Sequence, residues 1–133
     1  MDTTRAIQDL LLNLGITPNL LGFDAATKAV EIYLNKKKQT GHAPKITEIY
    51  AEVARQLGCS EGVVERRIRH SVESMFDFSE PERIYSILGA PTNMKKGKYI
   101  NGEFIALMAL VARRRMEDRN MEARRNGRTS YTH

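Results

Sequence analysis

Cysteine and histidine are scarce in this chain of 133 residues: Cys59 stands alone beside the scattered His42, His70 and His133. One cysteine excludes an internal disulfide, and one thiol with three unclustered imidazoles lacks the spacing of a zinc site. Long apolar runs are also missing. The longest near-apolar stretch, Phe104 to Ala112, is far short of the about 18 residues that mark a membrane span. The opening Met1-Asp2-Thr3-Thr4-Arg5 has no basic leader running into a hydrophobic block, so the expectation is a cytoplasmic protein without a membrane partner. Absent too are a Gly-rich phosphate cradle, a nucleophile elbow and any motif linking His42 to Cys59. The chain is therefore not expected to be an enzyme or to carry a metal or other cofactor.

What the chain does have is enough apolar residue, 41%, for one core, and a length at which about two-thirds of the unfolded surface can be buried. Its charge is unevenly placed. Lys36 to Lys45 carries +4, Lys95 to Lys98 carries +3 and Arg113 to Arg128 carries +4, against +5 for the whole chain, so the remainder is acidic on balance. Clustered cations and a pI near 9.5 suit a polyanionic partner such as nucleic acid, although a solvated basic surface would look the same by charge alone.

Apolar spacing is helical nearly throughout, with none of the sustained alternation of a half-buried strand. Ile7, Leu10, Leu11 and Leu14 form a first stripe, stopped by Gly15 and Pro18. Ala26, Ala29, Val30, Tyr33 and Leu34 form a second that runs into Lys36, Lys37 and Lys38, followed by a loop over Gln39 to Lys45. A third helix, beginning at Thr47 or near Tyr50, carries Val53, Ala54 and Leu57 and breaks at Gly58-Cys59-Ser60. Ser60 can cap a fourth over residues 61–76, striped by Val64, Ile68, Val72 and Met75. Ser79-Glu80-Pro81-Glu82 has capping-box spacing and opens a short fifth helix that Gly89 and Pro91 close. After a lysine-rich loop, Asn93 to Ile100, a sixth helix starts near Asn101, turns Phe104, Ile105, Met108 and Val111 inward, and passes into an arginine-rich tail expected to fray.

The expected fold class is therefore all-α. Residues 1–116 form a single compact domain of about six helices containing a helix-turn-helix, with a basic C-terminal helical extension whose residues 117–133 are expected to be a flexible tail. Cys59 reads as a small buried hydrophobe, and Met75, Met94, Met108, Met116 and Met121 as gap fillers and helix formers.

Residues 50–75 carry the functional signal. Two helices joined by a short turn containing Gly make the unit whose second helix enters the major groove of DNA. With Val64, Ile68, Val72 and Met75 turned inward, the 3.6-residue period puts Gly62, Arg66, Arg69, His70 and Glu73 outward, with Glu65 and Arg67 at the flanks. Arg donates two hydrogen bonds to guanine O6 and N7, and Glu accepts from cytosine N4. The competing reading is a solvated helix face on which Glu65 and Arg69 make a surface i, i+4 pair of a few tenths of a kcal/mol.

Val64-Glu65-Arg66-Arg67-Ile68-Arg69-His70-Ser71-Val72-Glu73 resembles the recognition helix of the C-terminal effector domain of the stage-zero sporulation response regulators. Met94-Lys95-Lys96-Gly97-Lys98, followed by Asn101 to Met108, resembles that family's lysine loop and last helix, and Leu14 to Pro18 with Gly22 resembles its opening. The likeness runs from about Thr4 to Met116. It implies a six-helix domain that binds a short box in double-stranded DNA, often in tandem copies occupied by head-to-tail pairs, and regulates transcription. It implies that Glu65, Arg66 and Arg69 reach base edges and that Lys95, Lys96 and Lys98 approach the phosphate backbone. Arg67 stands where the family has a small residue and, with Ser60 and His70, is a further backbone candidate. The family's receiver domain is not expected, since nothing before Thr4 has room for one. A homodimer on tandem sites and a contact with RNA polymerase remain as partners. The alternative function is a helical adaptor that binds RNA, RNA polymerase or another protein through its basic surface.

Overall fold

The computed structural model describes residues 2–131, with side chains as far as Gly127. His133 and the side chain of Arg128 lie outside the described residues. There are six helices and no strand among the described residues: α1 Thr3–Asn13, α2 Leu21–Thr40, α3 Ile46–Leu57, α4 Glu61–Phe78, α5 Pro81–Leu88 and α6 Asn101–Tyr131. The all-α expectation holds, and each helix end has a local cause. Asp2 accepts from the Thr4 amide at 3.1 Å to start α1, Ser60 accepts from the Val63 amide at 3.2 Å to start α4, and Pro81 occupies the first turn of α5. Gly41 and Gly58 end α2 and α3 at φ of +76° and +67°, a left-handed conformation that costs little only without a Cβ.

The inward stripes meet in one core. Ile7, Leu10, Leu11 and Leu14 of the N-terminal segment pack with Ala26 and Val30 of α2, Val53 of α3, Ile68 and Met75 of α4, and Phe104, Ile105 and Met108 of α6. Burying a Leu, Ile, Phe or Met side chain contributes about 1.5–3 kcal/mol, so this shared core, rather than helix propensity, holds the short helices α1 and α5 in place. No helix among the described residues is long and apolar enough to cross a membrane.

Several sequence expectations need correction. Helix α2 begins at Leu21, five residues before the expected stripe at Ala26, and includes Gln39 and Thr40, where Thr40 donates back to the Lys36 carbonyl at 2.8 Å. The capping box does not form. Ser79 instead terminates α4 in extended conformation, and its hydroxyl donates to the Leu14 carbonyl at 3.2 Å, so a tertiary acceptor takes the group that would have capped α5. Met94 is exposed in the loop rather than filling the core, and Cys59 is half-buried. The basic extension is helical, as expected, but the expected fraying past Met116 is not seen: α6 continues through Tyr131. Arg115 donates to Asn13 at 3.1 Å and Arg119 lies 3.7 Å from the Asp9 carboxylate, both tying it to α1.

Candidate nucleic-acid interface

Helix α4 is held by its apolar stripe. Val64, Ile68 and Met75 are fully buried and Val72 nearly so, leaving Ser60, Gly62, Arg66, Arg69, His70 and Glu73 exposed and Glu65 and Arg67 half-buried. The outward set deduced from periodicity is thus the exposed set. Gly62 meets nothing on its open side except the Ser60 hydroxyl at 3.9 Å, so its surface is free to approach a ligand.

The two flanks of α4 have different neighbours. On one, Arg69 Nη1 contacts both Glu65 carboxylate oxygens, at 2.9 and 3.1 Å, so the surface pair weighed from the sequence forms. On this flank Asn101 Nδ2 donates to the Glu65 carbonyl and to the Tyr50 hydroxyl, each at 3.0 Å. Burial pushes the Tyr50 phenol above its ordinary range and the Glu65 carboxylate adds to that, while the Asn101 bond and the Arg69 charge oppose it. Tyr50 therefore stays a neutral hydroxyl and Asn101 pins the start of α6 to α4.

The other flank carries Arg67. Its carbonyl accepts from Ser71 at 3.1 Å, and Gly22 of α2 packs so closely there that an added Cβ would lie 2.3 Å from that same carbonyl oxygen. Arg67 and His70 line a cleft with Asn19, Leu20 and Leu21 at the start of α2. Arg67 thus adds its charge on the α2 side, away from the Glu65–Arg69 pair, which periodicity alone left undecided.

Lys95, Lys96 and Lys98 are exposed on a loop fixed from within. Tyr85 donates to the Gly97 carbonyl at 2.5 Å, the Tyr99 hydroxyl donates to the Gly89 carbonyl, and Gly97 turns at φ +67°. The ring of Tyr99 packs against Phe76 of α4 with centroids 5.8 Å apart, and Tyr85 completes the cluster at 6.2 Å from Phe76. Glu65, Arg69 and Phe76 share one flank at helical periodicity. Tyr99 and Asn101 therefore bracket the end of the lysine loop along the flank that carries the Glu65–Arg69 pair. Sequence reasoning gave no site role to Tyr50, Phe76, Tyr85, Tyr99 or Asn101, because none carries a charge, although Asn101 opens the stretch that resembles the family's last helix. Only the position of Asn101 at a helix start was visible.

Residues 7–111 match the family described as Sporulation initiation factor Spo0A C terminal. The chain belongs to this family. The Spo0A C-terminal family consists of DNA-binding regulatory domains rather than enzymes, and the protein is accordingly a DNA-binding one. The match runs from α1 into α6 and so includes α3, α4, the lysine loop and Asn101; the arginines from Arg113 onward lie beyond it.

Proposed function

We propose that this Spo0A C-terminal family member regulates transcription by reading a short box in duplex DNA, with α3 and α4 as a helix-turn-helix and α4 in the major groove. Arg66 and Arg69 donate to guanine edges, and Glu65 orients Arg69 or accepts from cytosine. Lys95, Lys96 and Lys98, helped by Ser60, Arg67 and His70, hold the phosphate backbone without reading sequence. The observation that carries this reading is the exposure of Arg66 and Arg69 opposite a fully buried stripe, with Glu65 already gripping Arg69 through both carboxylate oxygens. A pre-oriented guanidinium loses less side-chain freedom on binding than a free one. Residues 1–116 form the DNA-binding unit and residues 117–133 a basic extension of it. Tandem boxes would seat two copies, and activation would require a contact with RNA polymerase.

The test is a selection of bound sequences from random duplexes followed by titration of the preferred box. Replacing Arg66 or Arg69 by Ala should cost about 1–3 kcal/mol on that box and much less on random DNA. Recovery of no common box, or equal losses on both DNAs, would favour an adaptor that uses the basic surface for RNA or protein.

A further inference from the structure

Lys37 and Lys38 are not among the residues proposed to meet DNA, yet the fold gives them a partner. Lys37 and Lys38, near the end of α2, line one trough with Arg113 of α6, more than seventy residues on. Its floor is apolar, formed by Leu34 and Met116, and it narrows along Tyr33, Ala106, Ala109 and Leu110. The wide end encloses about 460 Å³, the size of a ligand pocket. The trough follows α6 from Ala106 to Met116, about 15 Å at the helical rise, so its shape is that of a groove rather than a round cavity. None of its lining residues belongs to α3, α4 or the lysine loop.

The electrostatics are one-sided. No carboxylate lies within ion-pair distance of Lys37 or Lys38 among the described residues, and the only acid paired with Arg113 there, Glu117, is 3.8 Å away, beyond a hydrogen bond. Lys37 instead lies 6.0 Å from the centroid of the Tyr33 ring. We propose that this trough docks an acidic amphipathic helix of a partner protein, its apolar side chains on Leu34, Leu110 and Met116 and its carboxylates on Lys37, Lys38 and Arg113. The small side chain of half-buried Ala106 lets such a helix approach closely, the groove-docking geometry of amphipathic helices. A DNA backbone suits the site less well, because it has nothing apolar to bury on Leu34, Leu110 and Met116.

The probe is a capped, helical Glu/Leu peptide of roughly ten residues, matched to the length of the groove, titrated into the isotope-labelled full chain and followed by NMR. Amide shifts should centre on residues 33–41 and 106–116. Combining K37E, K38E and R113E should weaken the peptide about tenfold or more, while the preference for the box over random DNA stays unchanged and any loss of duplex affinity is equal on both DNAs. The neutral K37Q, K38Q and R113Q set gives the same test with less charge perturbation should the reversed chain fold poorly. R66A with R69A should leave the peptide unaffected, which separates this site from the DNA-reading surface whichever way that reading is decided. Shifts centred on α4 and Lys95–Lys98, or equal binding by wild type and both charge variants, would overturn the proposal. So would concentration-dependent self-association in sedimentation that the charge variants abolish, because the occupant would then be a second copy of the chain.

Discussion

The Asn101 side-chain amide donates to the Glu65 carbonyl at 3.0 Å across 36 residues of sequence, and the same nitrogen reaches the Tyr50 hydroxyl at 3.0 Å. One side chain therefore joins α3, α4 and α6 near the start of α4. A free α4 could roll about its apolar stripe and still bury it; this bond removes that freedom on the flank that carries Arg69.

Replacing Asn101 by Ala should lower stability by about 1–3 kcal/mol, the net value of two hydrogen bonds with a half-buried hydroxyl left unpaired. Affinity for the preferred DNA box should fall as well, although Arg66 and Arg69 are untouched. An unchanged urea midpoint would show that the joint is not formed in solution.

Gly22→Ala places a methyl group 1.8 Å from the Ser71 hydroxyl and 2.3 Å from the Arg67 carbonyl oxygen. Backbone cannot move aside as a side-chain tip can, so α2 and α4 must separate, at a cost of about 1–3 kcal/mol or more. Adding Ser71→Ala should recover only part of the loss in a denaturation series. Full recovery would mean that the hydroxyl, not the backbone, set the spacing.

Removing Lys95, Lys96 and Lys98 together should weaken every duplex to a similar degree. The slope of log K against log salt should flatten by about 0.9 for each phosphate that is no longer neutralised. A salt slope equal to that of the wild type would place the loop off the DNA.

Burial, reinforced by Tyr85 and Glu103, pushes the Tyr99 phenol from 10.0 to about 12. Below the unfolded value both states hold the proton and stability is independent of this group. Between the two values the unfolded chain ionises first and binds fewer protons, so stability falls as pH rises through that window. A tyrosinate absorbance titration should show a late-ionising phenol that Tyr99→Phe removes, and a single transition near the ordinary value in the wild type would contradict the burial.

Much of the candidate site was legible one helix at a time. Val64, Ile68, Val72 and Met75 recur at the helical period, and a helix with one apolar stripe has only one way to face a core, so the exposure of Arg66, Arg69 and His70 followed. The same locality made Ser60 a cap and Gly58 a turn, because a cap bonds within three residues and a left-handed φ is a property of one residue.

By itself, the sequence determined the all-α class, the order of six helices, the family and the outward set on α4, all of which depend on spacing over a few residues or on a contiguous pattern. Tertiary structure decided the rest, because it depends on which distant groups compete for the same atom or space. Ser79 could cap α5 or bond elsewhere, and the Leu14 carbonyl won. Arg67 could flank either side of α4, and the close approach of Gly22 put it toward α2. From its sequence the arginine extension is expected to fray past Met116, since it has no apolar repeat there; Asn13 and Asp9 on α1 supply the polar partners that a periodicity argument cannot see. Lys37 and Lys38 ended one helix in the sequence, and only the packing of α2 on α6 made them one side of a groove with Arg113.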